Sequence, residues 1–309
     1  MTALSFPPIP EPWAAALRQV VASILAELPT CEVLIGGARP GESKQRSRPL
    51  RHPSAHHGSP MTFYPYCGAA NPEAFLRYQQ ASDPMGCIDA CLRSLHEMIG
   101  SDLLDLGAGN AFHALRFARL CRRVVAVEPD PAMLAQAEQL LSAPGAPGNV
   151  ELRAGDAEAI PLPDASVDIV HARFAYFFGS DACLPGLTEV RRVLRPGGSF
   201  LVVDTSADGT LGALYQRFFP HVFADQRGML AFWQRHGFSH RLVETEWRVA
   251  DRDAMAATFA LEHSPEQVSE ILASVAGTSL SYAVHVFHWR KPPTPGATKP
   301  AHHQEDAMS

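Results

Sequence analysis

The residues with the plainest chemical potential lie around Asp105-Leu106-Gly107-Ala108-Gly109-Asn110-Ala111. An acid stands two residues ahead of paired glycines, where an apolar run over 101–106 gives way to a helix-like pattern over 111–120. Glycines there let a ligand press against bare main chain, and a helix start offers unpaired N–H groups to an anion. That end effect amounts to about 0.3 to 2 kcal/mol, so it orients more than it binds. Glu128 closes the next apolar run about 20 residues further on, where a carboxylate can accept hydrogen bonds from both hydroxyls of a ribose. Gly155-Asp156-Ala157 follows a third run. Either acid alone also reads as a strand-end cap on the next helix. Their succession, with strands between, sets them apart.

The elements that must position these groups alternate. Apolar runs at 101–106, 124–127, 150–153, 167–171 and 199–204 read as strands. Helical patterns at 111–120, 131–142 (proline in its first turn) and 184–194 fall between them. Strand and helix at this spacing predict an α/β fold, a parallel sheet with helices on both faces. Two later strands, 242–249 and 282–289, flank a helical segment over 250–279 and are expected as an antiparallel pair at one sheet edge.

A third glycine would complete a dinucleotide-binding fingerprint, but that position holds Phe112, too bulky for the packing it serves. The acidic-x-Gly-x-Gly pattern instead resembles the first motif of class I S-adenosylmethionine-dependent methyltransferases, with Ala111 where many members carry another glycine. Glu128, Gly155-Asp156-Ala157, Val167-Asp168-Ile169-Val170-His171 and Leu194-Arg195-Pro196-Gly197-Gly198 lie at the intervals of that family's later motifs. The resemblance covers about 90–289 and looks nearest to the small-molecule branch related to quinone-biosynthesis C-methyltransferases. It implies a Rossmann-like sheet of seven strands, order 3-2-1-4-5-7-6, with strand 7 antiparallel. It also implies S-adenosyl-L-methionine as cofactor, contacted by Asp105, Gly107, Gly109, Glu128, Pro129, Asp156, Ala157 and His171. Asp156 would hold the adenine amino group, and strand 4 would face the reacting methyl. A helical lid over 61–100, with Phe63, Tyr64, Tyr66 and Tyr78, would close over the cofactor.

The reaction so implied is in-line methyl transfer to a small acceptor through O, N or C, where alignment and exclusion of water matter most. A base is needed only for a hydroxyl or carbon acid. Candidates are His171, Tyr176 and Asp204, with His113 on the first helix, though a lone histidine is more often simply packed. Aromatic residues Phe174, Tyr176, Phe177 and Phe178, and later Phe218, Phe219, Phe223, Phe232 and Trp233, fit a pocket wall for an apolar molecule or an ordinary core. A catalytically silent binding protein and a nicotinamide-dependent oxidoreductase are the rival readings. The second leaves Asp105, Gly155-Asp156 and the Pro-Gly-Gly turn unexplained.

The whole chain has 309 residues, 46% apolar and 19% charged, with net charge −6, which excludes a wholly disordered protein and gives no general attraction to polyanions. His171-Ala172-Arg173-Phe174 lacks the Pro-Pro-aromatic motif of base-methylating enzymes, so no nucleic acid is expected as acceptor. No run reaches the length of a membrane span and the N-terminus does not read as a secretory signal, so a cytoplasmic location without membrane partner is expected. Six irregularly spaced cysteines are expected as reduced thiols; Cys87 and Cys91 are four apart on one helix face, but a zinc site would need Cys67 and His96 to converge on them by folding alone, and no metal is expected. Residues 1–60 are read as one amphipathic helix from Trp13 and a basic Pro/Ser/His linker. Gly36 to Ser43 fails as a phosphate loop because Glu42 stands where lysine is needed. Met61 is an alternative start. Residues 101–290 form the expected methyltransferase domain, with 250–280 inserted between strands 6 and 7, and 291–309 form a disordered tail. Oligomeric state is not fixed by the sequence.

Overall fold

A computed structural model describes residues 71–293. The expected helix from Trp13, the basic linker, Met61, Phe63, Tyr64, Tyr66, Cys67 and the tail from residue 294 lie outside the described residues.

Two helices, α1 (Pro72–Ala81) and α2 (Cys87–Leu95), precede β1 (Asp102–Leu106). There follow α3 (Phe112–Phe117), β2 (Arg123–Glu128), α4 (Pro131–Leu141), β3 (Val150–Ala154) and β4 (Val167–Arg173). The second half runs α5 (Leu184–Val193), β5 (Leu194–Thr205), α6 (Gly209–Phe218), α7 (Gln226–Arg235), β6 (Ser239–Arg248), α8 (Arg252–Phe259), α9 (Pro265–Ser274) and β7 (Ser279–Arg290). The seven strands form one sheet in the order β3-β2-β1-β4-β5-β7-β6. β7 runs antiparallel to both its neighbours, while the first five strands are parallel.

The central strands are apolar on both sides because helices cover both faces. Leu103, Ala126, Ile169, Leu201 and Val284 point to one face, where Ile88, Leu92, Phe117, Leu211, Met255 and Ile271 pack on them. Their chain neighbours Leu104, Val125, Val127, Val170, Phe200 and Val202 point to the other, under Leu187, Val190, Phe232 and Trp233. Burying each large side chain contributes about 1.5 to 3 kcal/mol, so a period of two that satisfies both layers fixes the strand register. β6, on the outer edge, alternates weakly and stays largely exposed.

Asp130 caps α4 by accepting from the amides of Ala132 and Met133 at 2.8 and 3.0 Å, with Pro131 in the first turn as the sequence predicts. The segment 250–279 is two helices. Pro265 cannot continue α8, and Ser264 with Gln267 makes a capping box that starts α9 afresh. The loop so created, Ala260 to Ser264, borders the site described below. At the opposite end of the sheet Asp102 takes Arg122 at 2.9 and 2.7 Å and Arg195 at 2.9 Å, and Arg195 also reaches Asp168 at 2.8 Å.

The Pro-Gly-Gly segment is expected as a turn ahead of strand 5, yet β5 already begins at Leu194 and runs through it, with a register irregularity against β4 between Val167 and Ile169. Gly197 has φ +81° in open space, whereas a Cβ on Gly198 would stand 2.7 Å from the Asp168 carbonyl oxygen and 2.9 Å from that of Arg195. Gly197→Ala should therefore cost about 1 to 2 kcal/mol through backbone strain alone, and Gly197→Asn less. Gly198→Ala should cost about 1 to 3 kcal/mol through overpacking against main chain. Urea-denaturation midpoints of the three variants check this, and equal losses for both Gly197 variants would contradict the strain account.

Candidate active site

The strand order reverses between β1 and β4, and the register Asp105↔His171 places the ends of both strands at that crevice. Open α/β sheets bind ligands at such a point, outside the carboxyl ends of the strands. Here a cavity of about 1460 Å³ opens, walled by the β1–α3 loop, the ends of β4 and β5, helix α1, the α6–α7 connection and the loop after α8.

The glycine loop is pinned from below. Gly107 and Ala108 donate their amides to the Val127 carbonyl at 2.9 and 3.0 Å, and Gly109 donates to Glu128 Oε2 at 2.8 Å. Glu128 Oε1 accepts from the Asp130 amide at 2.9 Å, so one carboxylate holds the turns after β1 and β2 together. Glu128 is 3% exposed; burial pushes its carboxyl up, and the two amide donors pull it back. Gly107 has φ +75° and a Cβ there would stand 2.5 Å from the Ala175 side chain, which excludes any larger residue.

Asp105 lines the cavity. Its Oδ1 lies 2.8 Å from His171 Nδ1, and its buried Oδ2 has no partner among the described residues. A cavity-lining carboxylate with one oxygen that lacks a donor suits an ammonium group. The amino-acid end of S-adenosylmethionine supplies one, and the bare glycine turn beside it leaves room for the rest of that molecule.

Not every expected contact reaches the wall. Gly107 and Gly109 line the cavity with Asp105, but Glu128, Pro129, Asp156 and Ala157 do not. Glu128 sits behind the loop. Asp156 is exposed after β3 and its Oδ1 accepts from the amides of Glu158 and Ala159 at 2.8 and 2.9 Å, the local capping role of a strand-end acid. Ala157 is packed in the core.

Two of the catalytic candidates, His171 and Tyr176, do not line the cavity. His171 is 1% exposed, wedged against Phe117 with ring centroids 4.8 Å apart, and lies behind Asp105. Tyr176 is buried outside the cavity; its hydroxyl lies 3.0 Å from both Glu158 Oε1 and the Ala182 carbonyl, either of which can take its one proton, and burial pushes the phenol far above its ordinary range. Asp204 does line the cavity. Burial pushes its carboxyl up to about 7, against one opposing hydrogen bond from the Thr205 amide at 2.8 Å. His113 also lines the cavity, and burial, with Arg173, His171 and Arg116 nearby, keeps its imidazole neutral.

Of the expected aromatic residues, Phe174, Phe178, Phe219, Phe223 and Phe232 border the cavity, and so does Tyr78 of the expected lid. Phe177, Phe218 and Trp233 do not; Trp233 stacks on Phe287 in the core. Residues the sequence reading passed over are Arg173, Tyr215 and His263. Arg173 was detectable, because strand alternation puts it on the same face as His171. Tyr215 meets Tyr78 hydroxyl to hydroxyl at 3.1 Å, a pairing across 137 residues that no local pattern reveals.

Among the described residues no group of three or more His, Cys, Asp or Glu side chains could hold a metal ion. Cys87, Cys91, Cys121 and Cys183 are free thiols, and His96, considered as a zinc ligand, instead lies 2.8 Å from Ser199 Oγ. No helix among the described residues is long and apolar enough to cross a membrane.

The strand order, the antiparallel β7 and the acid-and-glycine turn at the switch point define a class I S-adenosylmethionine-dependent methyltransferase fold. Residues 104–202 match the family model described as a methyltransferase domain. An uncharacterized methyltransferase, YcgJ of Bacillus subtilis, is 36% identical over 102 residues, which is 33% of this chain and 40% of the relative. The ubiquinone/menaquinone biosynthesis C-methyltransferase UbiE of Enterobacter sp. (strain 638) is 30% identical over 164 residues, 51% of this chain and 64% of the relative. The chain thus spans less than two thirds of the length of either. A crystal structure of the Bacillus YcgJ protein aligns with 67% of this chain and 99% of its own at 20% identity and a TM-score of 0.49.

Asp105→Ala should weaken binding of S-adenosylhomocysteine about tenfold or more, the loss of one charge-assisted hydrogen bond. Glu128→Ala should do the same by freeing the Gly109 amide and loosening the loop. Isothermal calorimetry on both variants decides, and unchanged affinity in the two would remove this loop from the binding site.

Proposed function

We propose that the chain transfers a methyl group from S-adenosylmethionine to a small, largely apolar acceptor. One observation carries this reading: the cavity is continuous from the glycine loop and the unpaired Asp105 oxygen to a chamber walled by Phe75, Tyr215, Phe219, Phe223 and Phe232. Pockets for one drug-sized ligand run to about 1,000 Å³. The volume here exceeds that and admits a donor and an acceptor together.

The cofactor, when bound, supplies a methyl group already activated on a sulfonium. The chain's own contribution is therefore placement. Asp105 and the glycine turn orient the donor side, and α1, with Phe75, Tyr78 and Gln79 on the wall, acts as a cover that keeps water out. Asp204, at the end of β5, receives the acceptor's proton when the nucleophile is a hydroxyl or a carbon acid. A carboxyl titrating at about 7 suits that task, because it is partly ionised at neutral pH yet basic enough to take a proton. His171 and Tyr176 have no direct part. Names of relatives such as the UbiE C-methyltransferase and the malonyl-[acyl-carrier protein] O-methyltransferase of Serratia marcescens support a small-molecule acceptor.

Incubation with isotopically labelled S-adenosylmethionine and a fractionated small-molecule extract tests the reading; label should enter an apolar product with equimolar release of S-adenosylhomocysteine. Binding of the nucleoside with no turnover on any fraction would favour a silent binding protein instead. With the acceptor in hand, kcat/KM should rise with pH through an apparent pKa near 7. Asp204→Asn should abolish that limb and lower kcat about 10²-fold or more while leaving nucleoside affinity within about twofold.

The same group gives a stability signature. Its carboxyl is raised on folding from 3.8, so its stabilising protonation is fully present below that value and is lost as pH rises through about 7. The melting temperature of wild type should therefore fall more steeply than that of Asp204→Asn between pH 5 and 8. Parallel curves would show that Asp204 titrates normally.

A further inference from the structure

Arg173, the last residue of β4, is 8% exposed and lines the cavity. Its Nε and Nη2 are buried and find no acceptor among the described residues, and no carboxylate among them comes within ion-pair distance. The guanidinium lies over the Phe174 ring, 5.1 Å from its centroid, and that ring also faces the cavity. Asp83 and the Tyr282 phenol both feel its charge, yet the Asp83 carboxylate is engaged elsewhere. It accepts from the amides of Cys87 and Ile88 at 2.9 and 3.0 Å and from the Thr245 hydroxyl at 2.9 Å.

A buried cation without a partner is unfavourable unless something supplies the missing charge. The other arginine on the wall, Arg235, is exposed to solvent and needs no such partner. The acids on the wall, Asp105, Asp181, Asp204, Asp225 and Glu262, leave Arg173 as the one buried cation there among the described residues. A guanidinium presents a rigid planar fork that matches a carboxylate through two parallel hydrogen bonds. Around it the chamber is aromatic and apolar.

We infer that the acceptor is an aryl or alkyl carboxylic acid, its carboxylate held by Arg173 and its apolar body by the aromatic chamber. The inference deepens the methyl-transfer reading and rests on it for the word acceptor; the anion site itself stands on the cation and the cavity. In this arrangement Arg173 fixes which end of the molecule enters first, and so which atom is presented beside Asp204. A neutral molecule of the same shape would leave the guanidinium uncompensated and would be rejected.

The full chain is titrated by calorimetry, with and without saturating S-adenosylhomocysteine, using phenylacetate against phenylacetamide and octanoate against octanamide. Each acid should bind about tenfold or more tightly than its amide. Arg173→Met and Arg173→Gln should erase that difference, Arg173→Lys should keep part of it, and nucleoside affinity should change less than about twofold. Thermal melts of all three variants show that they are folded, and the lysine variant carries the test if the neutral ones are not. Equal binding of acid and amide to wild type overturns the inference, as does failure of either acid to bind at millimolar concentration. A fall in nucleoside affinity with the acid preference intact also overturns it, and gives Arg173 to the carboxyl end of the cofactor. If wild type binds no nucleoside, the methyl-transfer reading falls by itself, and the acid–amide difference without nucleoside still decides the anion site.

Discussion

The hydrogen bond between Asp105 Oδ1 and His171 Nδ1 crosses the crevice where the strand order reverses between β1 and β4. Both residues are nearly inaccessible and their strands are direct neighbours, so this 2.8 Å contact fixes the relative height of β1 and β4 at the crevice. The contact occupies one oxygen of Asp105 and turns it inward. The other oxygen is left without a donor among the described residues. The glycine loop depends on the same strand end, since its first two amides reach across to Val127 at the end of β2. Loss of the imidazole would leave two buried carboxylate oxygens without a donor, which costs more than the bond itself contributes.

The sheet was readable in the sequence because its physics is local and repetitive. Strands buried on both faces read as apolar runs, proline at position 131 marks a helix start, and the acids that end β1 and β2 occupy fixed offsets. The full strand order came from the family resemblance, since periodicity alone locates strands without ordering them. Errors fell where a single local residue changes the path. Pro265 with Ser264 and Gln267 splits the inserted segment into two helices, and Gly197 lets β5 begin earlier than the apolar run that marks it.

The site was readable only on its donor side. Asp105, Gly107 and Gly109 announce themselves by spacing, and all three reach the cavity. His171 and Tyr176 share strand-end positions with them, but whether such a residue faces a ligand or the core depends on what packs over it, here Phe117 for one and the Asp181 to Gly186 turn for the other. Arg173 shows the converse. Its identity is visible in the chain, while its lack of a partner is a property of the folded surroundings alone. The acceptor wall is assembled from α1, α6–α7 and the loop after α8, segments more than 180 residues apart at their extremes, so no window of sequence contains it.

That division has a bearing on how such a protein changes over generations. The stretch shared with the wider family, 104–202, contains the glycine turn, while Phe75, Tyr215, Phe219, Phe223 and His263 all fall outside it. Residues at the rim can be exchanged or the loops lengthened without disturbing the sheet and the glycine turn. Asp204 stands just beyond the end of that stretch, and Arg173 lies well inside it. If Arg173 holds an acid as proposed, a change of preference from acid to neutral compounds would need little more than a substitution at that one position, and the scaffold beneath would carry on unaltered.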